Sequence, residues 1–142
     1  MSDTRIPPNS SQTLAIAASA LHAEQSRMRV IAENIANADS TASTPGGDPY
    51  RRQIPVFEPT TVVKGATGVR MKGVTFDSGA FKQEYNPNHP ASDAKGYVKL
   101  PNVDGLVEAL DMKTAQRAYD ANLNVIETQR AMMSSTLGIL KQ

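Results

Sequence analysis

Apolar residues recur every seven positions near both ends of the chain, and this spacing predicts two long amphipathic helices. The N-terminal series is Leu14, Leu21, Met28 and Ile35, with Ala18 and Ala32 between its members. The C-terminal series is Met112, Tyr119, Ile126, Met133 and Leu140, with Leu123 and Leu137 between its members. Alternating steps of four and three residues align such side chains along one narrow line of a helix, the pattern of coiled coils. We call these lines the N-terminal seam and the C-terminal seam.

The predicted helices are long. The first begins after Asn9 or Ser10, since either side chain can accept hydrogen bonds from the free amides of a first turn, and it ends near Asn37. The second begins at its predicted cap, Asn102, and continues without an internal proline to about Leu140. Helices gain most of their stability from packing an apolar face, so both need a partner surface.

The stretch between the helices predicts a loop followed by a small β-rich insert. Residues 39–49 are polar and contain the glycines and prolines that interrupt regular elements. Alternating apolar residues then predict three or four short antiparallel strands, with a β-bulge at Gly73, where the alternation slips by one residue. Pro87 and Pro90 exclude regular structure from the loop that follows, and 96–100 is predicted to be a short extended piece.

These elements predict a mainly α protein with a small β insert, whose long terminal helices form a coiled-coil-like hairpin around short antiparallel strands. The predicted divisions are an N-terminal helical assembly segment at 1–38, a loop and β-rich insert at 39–101, and a long C-terminal helix at 102–142. An ordinary helical hairpin within one monomer is the alternative. The second helix would be about 57 Å long, longer than the first can cover, which favours partners outside the chain.

The composition of the chain excludes several classes of function. The 142 residues include no tryptophan and three phenylalanines, a thin supply of large side chains for a self-sufficient core. Net charge is +1 without a basic block, so no nucleic-acid partner is expected. The absence of cysteine removes disulfides and the usual zinc sites. No apolar run reaches the ~20 residues that span a bilayer, so no direct membrane insertion is expected. The N-terminus also lacks the features of a cleaved signal peptide.

The sequence gives little support for a catalytic site. His89 has Ser92 and Asp93 nearby, but a hydrolytic triad needs a nucleophile oriented by a base and usually an oxyanion hole. A proline-rich loop favours the interpretation that His89 makes a structural hydrogen bond in a rigid turn. The acidic residues Asp77 and Glu84 lack calcium-loop spacing. We therefore predict no catalytic, metal-binding or cofactor-binding residues.

Three stretches resemble the FlgC family, components of the proximal rod in the bacterial flagellar basal body. They are residues 34–41, residues 85–103 and residues 115–122, and residues 47–52 also fit. The second stretch is the most specific to this family. Its motif residues are Tyr85, Asn86, Pro87, His89, Pro90, Gly96, Tyr97, Pro101 and Asn102. The family often has glycine where Asn88 stands, but asparagine tolerates a left-handed backbone well.

The resemblance implies a structural subunit of the rod, the periplasmic drive shaft that transmits torque for motility. Its implied partners are other copies of itself, other flagellar rod proteins and the flagellar type III export apparatus, which moves such subunits without a cleaved signal. Another axial protein of the rod or hook type is one alternative, which residues 85–103 argue against. A secreted cell-wall hydrolase is the other, and the lack of a credible nucleophile–base pair argues against it.

Overall fold

The computed structural model describes residues 8–139 and contains two long helices with four strands between them. In chain order the elements are α1 (Pro8–Ala36), β1 (Gln53–Val63), β2 (Ala66–Phe76), β3 (Lys82–Tyr85), β4 (Tyr97–Leu100) and α2 (Gly105–Ile139). The prediction of a mainly α fold with a small β insert is confirmed. Leu140 of the predicted C-terminal seam lies outside the described residues.

The described chain divides into two compact units. The first contains residues 8–27, 57–72 and 114–139, and the second contains residues 28–56 and 73–113. Each unit is thus built from segments distant in sequence. The predicted division into 1–38, 39–101 and 102–142 follows sequence segments and stays a prediction.

Both predicted helix caps are wrong. α1 begins at Pro8, so Asn9 and Ser10 lie within its first turn. Proline suits this position because the first N–H groups of a helix have no acceptor within it, so its missing N–H loses no hydrogen bond. α2 begins at Gly105, and Asp104 caps it: its Oδ1 accepts hydrogen bonds from the amides of Leu106 at 2.9 Å and Val107 at 3.3 Å.

β1 and β2 have 11 residues each and are longer than the short strands predicted for this region. Lys64 and Gly65 connect them, and Gly65 adopts a φ of 80°, the left-handed value that a type II turn requires at its third residue. The prolines in β1, Pro55 and Pro59, are tolerated because a two-stranded sheet leaves each strand with one unpaired edge. Gly73 lies inside β2, and the bulge there stays a prediction.

A second, separate two-stranded sheet pairs β3 with β4 in antiparallel register, from Lys82 opposite Leu100 to Tyr85 opposite Tyr97. This confirms the predicted extended piece that ends at Leu100. The buried apolar residues within 10–139 are few and mostly small. They are Ala17, Ala23, Val30, Ile31, Ala66, Ala91, Val98, Val103 and Ala115. Many larger apolar side chains remain exposed, which leaves surface for partners.

Candidate functional site

A buried polar centre lies in the second unit, and its middle is the side-chain amide of Asn34. The Nδ2 group of Asn34 donates to Glu108 Oε2 at 3.0 Å and to the carbonyl of Gln53 at 2.9 Å. Its Oδ1 accepts from the Tyr50 hydroxyl at 2.8 Å and from the amide of Gln53 at 2.9 Å. Both donors and both acceptor positions of the amide are therefore used, which permits its burial.

The carboxylate of Glu108 is fully buried and carries the charge of this centre. Arg52 Nε donates to Glu108 Oε1 at 2.5 Å, and the outer guanidinium nitrogens lie 3.5 Å from carboxylate oxygens of Asp77 and Asp111. Burial lowers the pKa of Arg52, but the hydrogen bond and charge of Glu108 outweigh it, so the net pKa is raised. Removing one partner of such a buried ion pair lowers stability strongly, because the other charge is left buried without compensation.

Asn102 extends the centre to the backbone around it. Its Oδ1 accepts from the amide of Arg52 at 2.8 Å, and its Nδ2 donates to the carbonyls of Asp77 and Gly79, both at 3.2 Å. Arg51 donates to the same two carbonyls at 2.8 and 3.0 Å. The Asn102 side chain thus ties the segment before α2 to the entry of β1 and the turn after β2. This role replaces the predicted helix cap.

The polar centre was not predicted from the sequence. Asn34 and Asn102 belong to the family stretches, but Glu108 was not given a role. An acidic residue in the first turn of a helix usually faces solvent, where its charge interacts favourably with the positive end of the helix dipole. The available indication was spacing, since Glu108 and the fully buried Ala115 are seven residues apart, beside the predicted C-terminal seam.

The loop between β3 and β4 is fixed by its own hydrogen bonds. As interpreted from the sequence, His89 makes a structural hydrogen bond: its Nδ1 accepts from the amide of Ala91 at 3.0 Å. Asp93 Oδ1 accepts from the amides of Lys95 at 2.8 Å and Tyr97 at 2.9 Å. The hydrogen bond from Tyr97, followed by weaker contributions that include Lys95, lowers the pKa of Asp93.

Gly96 and two tyrosines complete this loop. The backbone φ of Gly96 is 87°, and a Cβ there would lie 2.8 Å from Cε2 of Tyr85. The rings of Tyr85 and Tyr97 meet edge to face with centroids 5.3 Å apart. Two other motif residues are also fixed by their surroundings. Pro101 is buried, and the backbone amide of Asn86 donates to the carbonyl of Gly96 at 2.9 Å. The motif residues from Tyr85 to Tyr97 therefore form one internally hydrogen-bonded turn, whereas Pro101 and Asn102 lie after β4.

A cleft of about 230 Å³ lies beside this turn, within the second unit. Its lining residues are Asp39, Thr41, Glu84, Asn86, His89, Val98 and Leu100. Among residues 8–139, no group of three or more acidic, histidine or cysteine residues is arranged to hold a metal ion. In the same residues, no helix has the length and apolar character to cross a membrane.

The predicted seams are partly exposed. On α1, Leu14, Leu21 and Met28 are half-buried, and Ile35 is 42% exposed. On α2, Met112, Tyr119, Ile126 and Met133 are half-buried, whereas Leu123 and Leu137 are 37% and 45% exposed. The most buried residues of α1, such as Ala17, Val30 and Asn34, lie on a different line of the helix. The coiled-coil hairpin therefore stays a prediction.

Comparisons with known proteins agree with the resemblance. Residues 14–42 match the family profile described as flagella basal body rod protein, and residues 94–139 match the profile described as flagellar basal body rod FlgEFG protein C-terminal. A flagellar basal-body rod protein FlgC from Agrobacterium fabrum is 47% identical over 127 residues, which cover 89% of this chain and 91% of the relative. The chain belongs to the FlgC family. This family membership confirms the recognition made from the sequence.

Other FlgC proteins are also similar. The protein from Escherichia coli O6:H1 is 44% identical over 86% of this chain and 91% of its own length. The protein from Borreliella burgdorferi is 41% identical over 89% of this chain and 94% of its own length. As a FlgC family member, the chain is a structural subunit of the flagellar basal-body rod and not an enzyme. The predicted function and its location in the basal-body rod are confirmed.

Proposed function

We propose that the N-terminal and C-terminal seams assemble the rod by covering one another, within a subunit and between neighbouring subunits. The observation that carries this proposal is the partial exposure of both seams along continuous helices of 29 and 35 residues. Leu123 and Leu137 mark where the C-terminal seam has apolar area left to bury. Met28, Met112 and Met133 also suit contacts with non-identical neighbours, because methionine is unbranched and adaptable.

The free energy expected from burying such contacts is consistent with a shaft that transmits torque. At roughly 25 cal/mol per Å² of apolar area buried, seams of this size contribute several kcal/mol per neighbour before ordering costs. Many contacts of this kind act in parallel along a shaft, so no single one carries the full load. Ordering of the helices on assembly offsets part of the gain. That offset keeps subunits from polymerising before they reach the growing rod.

The proposed partners are other copies of this chain, other rod proteins and the flagellar type III export apparatus, and the proposed location is the periplasmic part of the rod. The likeness to rod proteins over most of the chain supports these assignments. The rigid turn at residues 85–90 has a role of its own in the proposal. Because its backbone is fixed by internal hydrogen bonds, it can present the β insert to a neighbouring subunit at a constant angle.

Replacement of Ile126 by Asp tests the seam proposal. A carboxylate on the seam cannot be desolvated without a partner, so rods should be absent from isolated basal bodies and cells should not swim. Thr128→Asp is the matched control, because Thr128 is exposed and lies off the seam on the same helix. Export of both variants should be normal. Electron microscopy that showed normal rods in the Ile126→Asp strain would contradict the proposal.

A further inference from the structure

The cleft in the second unit has an apolar floor and an acidic rim. Val98 is buried and Leu100 is half-buried, and these two residues of β4 form the floor. The exposed residues Asp39 and Glu84 form the rim. A cavity of about 150 Å³ can hold a benzene molecule, so a cleft of about 230 Å³ has room for one apolar side chain from another molecule.

The charges of the rim are not neutralised within the part of the chain that the structure describes. Neither Asp39 nor Glu84 forms an ion pair with any of residues 8–139. The lysines of the same sheet have other partners. Lys82 donates to the carbonyl of Val103 at 3.3 Å, and Lys99 pairs with Asp48 at 2.9 Å. The cleft therefore suits a partner that brings an apolar group together with a cation.

The first turns of α2 present two exposed leucines followed by a lysine, and we call these three residues the α2 ridge. Leu106 is 72% exposed and Leu110 is 58% exposed, and Lys113 is exposed as well. Steps of four and then three residues align the three side chains along one line of the helix. Lys113 forms no ion pair with any residue in 8–139. The ridge lies in the second unit, and none of its residues lines the cleft.

The α2 ridge is separate from the C-terminal seam. Met112, the first residue of that seam, follows Leu106 by six positions. At 3.6 residues per turn, six positions place the seam about 120° away from the ridge around the helix axis. The ridge therefore faces a different direction from the seam. Exposed large apolar side chains beside a cation without a partner indicate a surface that binds something.

We propose that the α2 ridge of one copy of this chain docks in the cleft of a second copy. Leu110 packs on the apolar floor, and Lys113, about one turn further along, extends its apolar stem along the cleft and its ammonium group to the rim. This inference rests on the proposed function, in which copies are neighbours. Because ridge and cleft are different surfaces, each copy can use its ridge on one neighbour and its cleft on another. Such a head-to-tail contact can repeat along a filament.

The contact is small, so it acts together with the seams. It involves a few side chains, whereas a stable interface between two free proteins buries about 1,600 Å². In a rod whose seams already hold the copies together, docking of the ridge becomes effectively intramolecular and needs little affinity of its own. Its loss should therefore appear in the number of complete rods, and the test belongs in assembled rods.

Charge reversal tests the contact in cells that lack the unmodified chain. Lys113→Glu brings a carboxylate to the acidic rim, and Glu84→Lys brings an ammonium group towards Lys113. Each variant alone should therefore reduce the number of complete rods at least threefold. Both side chains are exposed, so urea unfolding of each purified variant should match that of the unmodified chain. Lys64→Glu, at an exposed lysine in the first unit, is the matched control and should give normal rods.

Production of both variants in one cell distinguishes a contact between copies from one within a copy. Where the variants alternate, the Lys113→Glu ridge meets the Glu84→Lys cleft, and the unchanged ridge of the second variant meets the unchanged cleft of the first. Mixed rods should therefore recover to at least half the normal number. A contact within one copy could not recover, because each chain would keep its own pair of like charges.

Two results would overturn this inference. One is a normal number of rods in both single variants, and the other is a loss of rods that co-production does not reverse. Either result would leave the seam proposal standing, because Ile126→Asp tests the seam separately. Normal rods in the Ile126→Asp strain, together with recovery on co-production, would instead contradict the seam and support the contact between ridge and cleft.

Discussion

The amide nitrogen of Asn34 lies 3.0 Å from the carboxylate of Glu108, although 74 residues separate them in sequence. Asn34 is near the end of α1 and Glu108 is in the first turn of α2. Both side chains are buried, and Arg52 and Tyr50 occupy their remaining hydrogen-bonding positions. The contact therefore fixes the ends of two helices and the entry to β1 in one arrangement. Glu108 and Asn34 are, with Val30 and Pro101, the largest fully buried side chains among the described residues.

Glu108→Ala should lower the free energy of unfolding of the second unit by about 3–5 kcal/mol, because it leaves Arg52 and Asn34 without their buried partner. Urea unfolding followed by circular dichroism measures the change. Glu127→Ala is the matched control, since Glu127 is exposed on the same helix, and it should change stability by less than about 0.5 kcal/mol. A similar loss in both variants would show that the polar centre contributes nothing beyond helix propensity.

Tyr50 should make the stability of the polar centre depend on pH in the alkaline range. Burial, and then the charges of Glu33 and Glu108, raise the pKa of its hydroxyl above the usual value near 10. A raised folded-state pKa means that the stabilisation is present below the unfolded-state pKa and is lost as pH rises through the folded-state pKa. Stability measured from pH 8 to 11 should therefore fall in the unmodified chain and fall less in Tyr50→Phe. Tyr85→Phe, which removes a hydroxyl from an exposed residue outside the polar centre, is the matched control.

Gly96→Ala should destabilise the motif turn for two reasons. The φ of 87° strains any residue with a Cβ, and the added carbon would meet the Tyr85 ring at 2.8 Å. The combined cost is about 1–3 kcal/mol in thermal or urea unfolding. Gly105→Ala is the control, because nothing lies within 4 Å of an added Cβ there and its φ is not in the left-handed region. An equal effect of both substitutions would rule out a special backbone role for Gly96.

His89→Ala should reduce rod assembly, because it removes the acceptor for the Ala91 amide and loosens the turn. The expected result is fewer complete rods per cell and slower swimming, with normal amounts of exported protein. Neither the unmodified chain nor the variant should hydrolyse peptidoglycan. Hydrolysis by the unmodified chain that disappeared in the variant would instead favour the cell-wall hydrolase alternative. His22→Ala, an exposed position on α1, serves as the control.

The sequence predicted the regular elements well because their residues carry local information. Helix composition and the proline at residue 101 bounded α1 and α2 to within a few residues, and turn residues located β3 and β4. The length of β2 was underestimated because the apolar alternation slips at Gly73, and that of β1 because Pro55 and Pro59 normally interrupt central strands. Only the two-stranded pairing, which leaves an unpaired edge, explains their place within β1.

The polar centre could not be predicted because it depends on contacts between distant residues. Periodicity ranks positions by hydrophobicity, so it selected Leu14 and Met28 and passed over Ala17 and Asn34, which are more deeply buried. An asparagine or a glutamate is buried only when every polar atom finds a partner, and those partners lie far away in the chain. Asp104 was likewise missed as the cap of α2, since Asn102 has equal chemical suitability.

The long sequence separation between Asn34 and Glu108 means that the second unit cannot close from its N-terminal segments alone. A product truncated before Glu108 keeps the cation of Arg52 and the amide of Asn34 but has no carboxylate to receive them. Such a fragment cannot bury this centre, because an unpaired cation and amide are costly to remove from water. The second unit can therefore close only once the first turn of α2 is present.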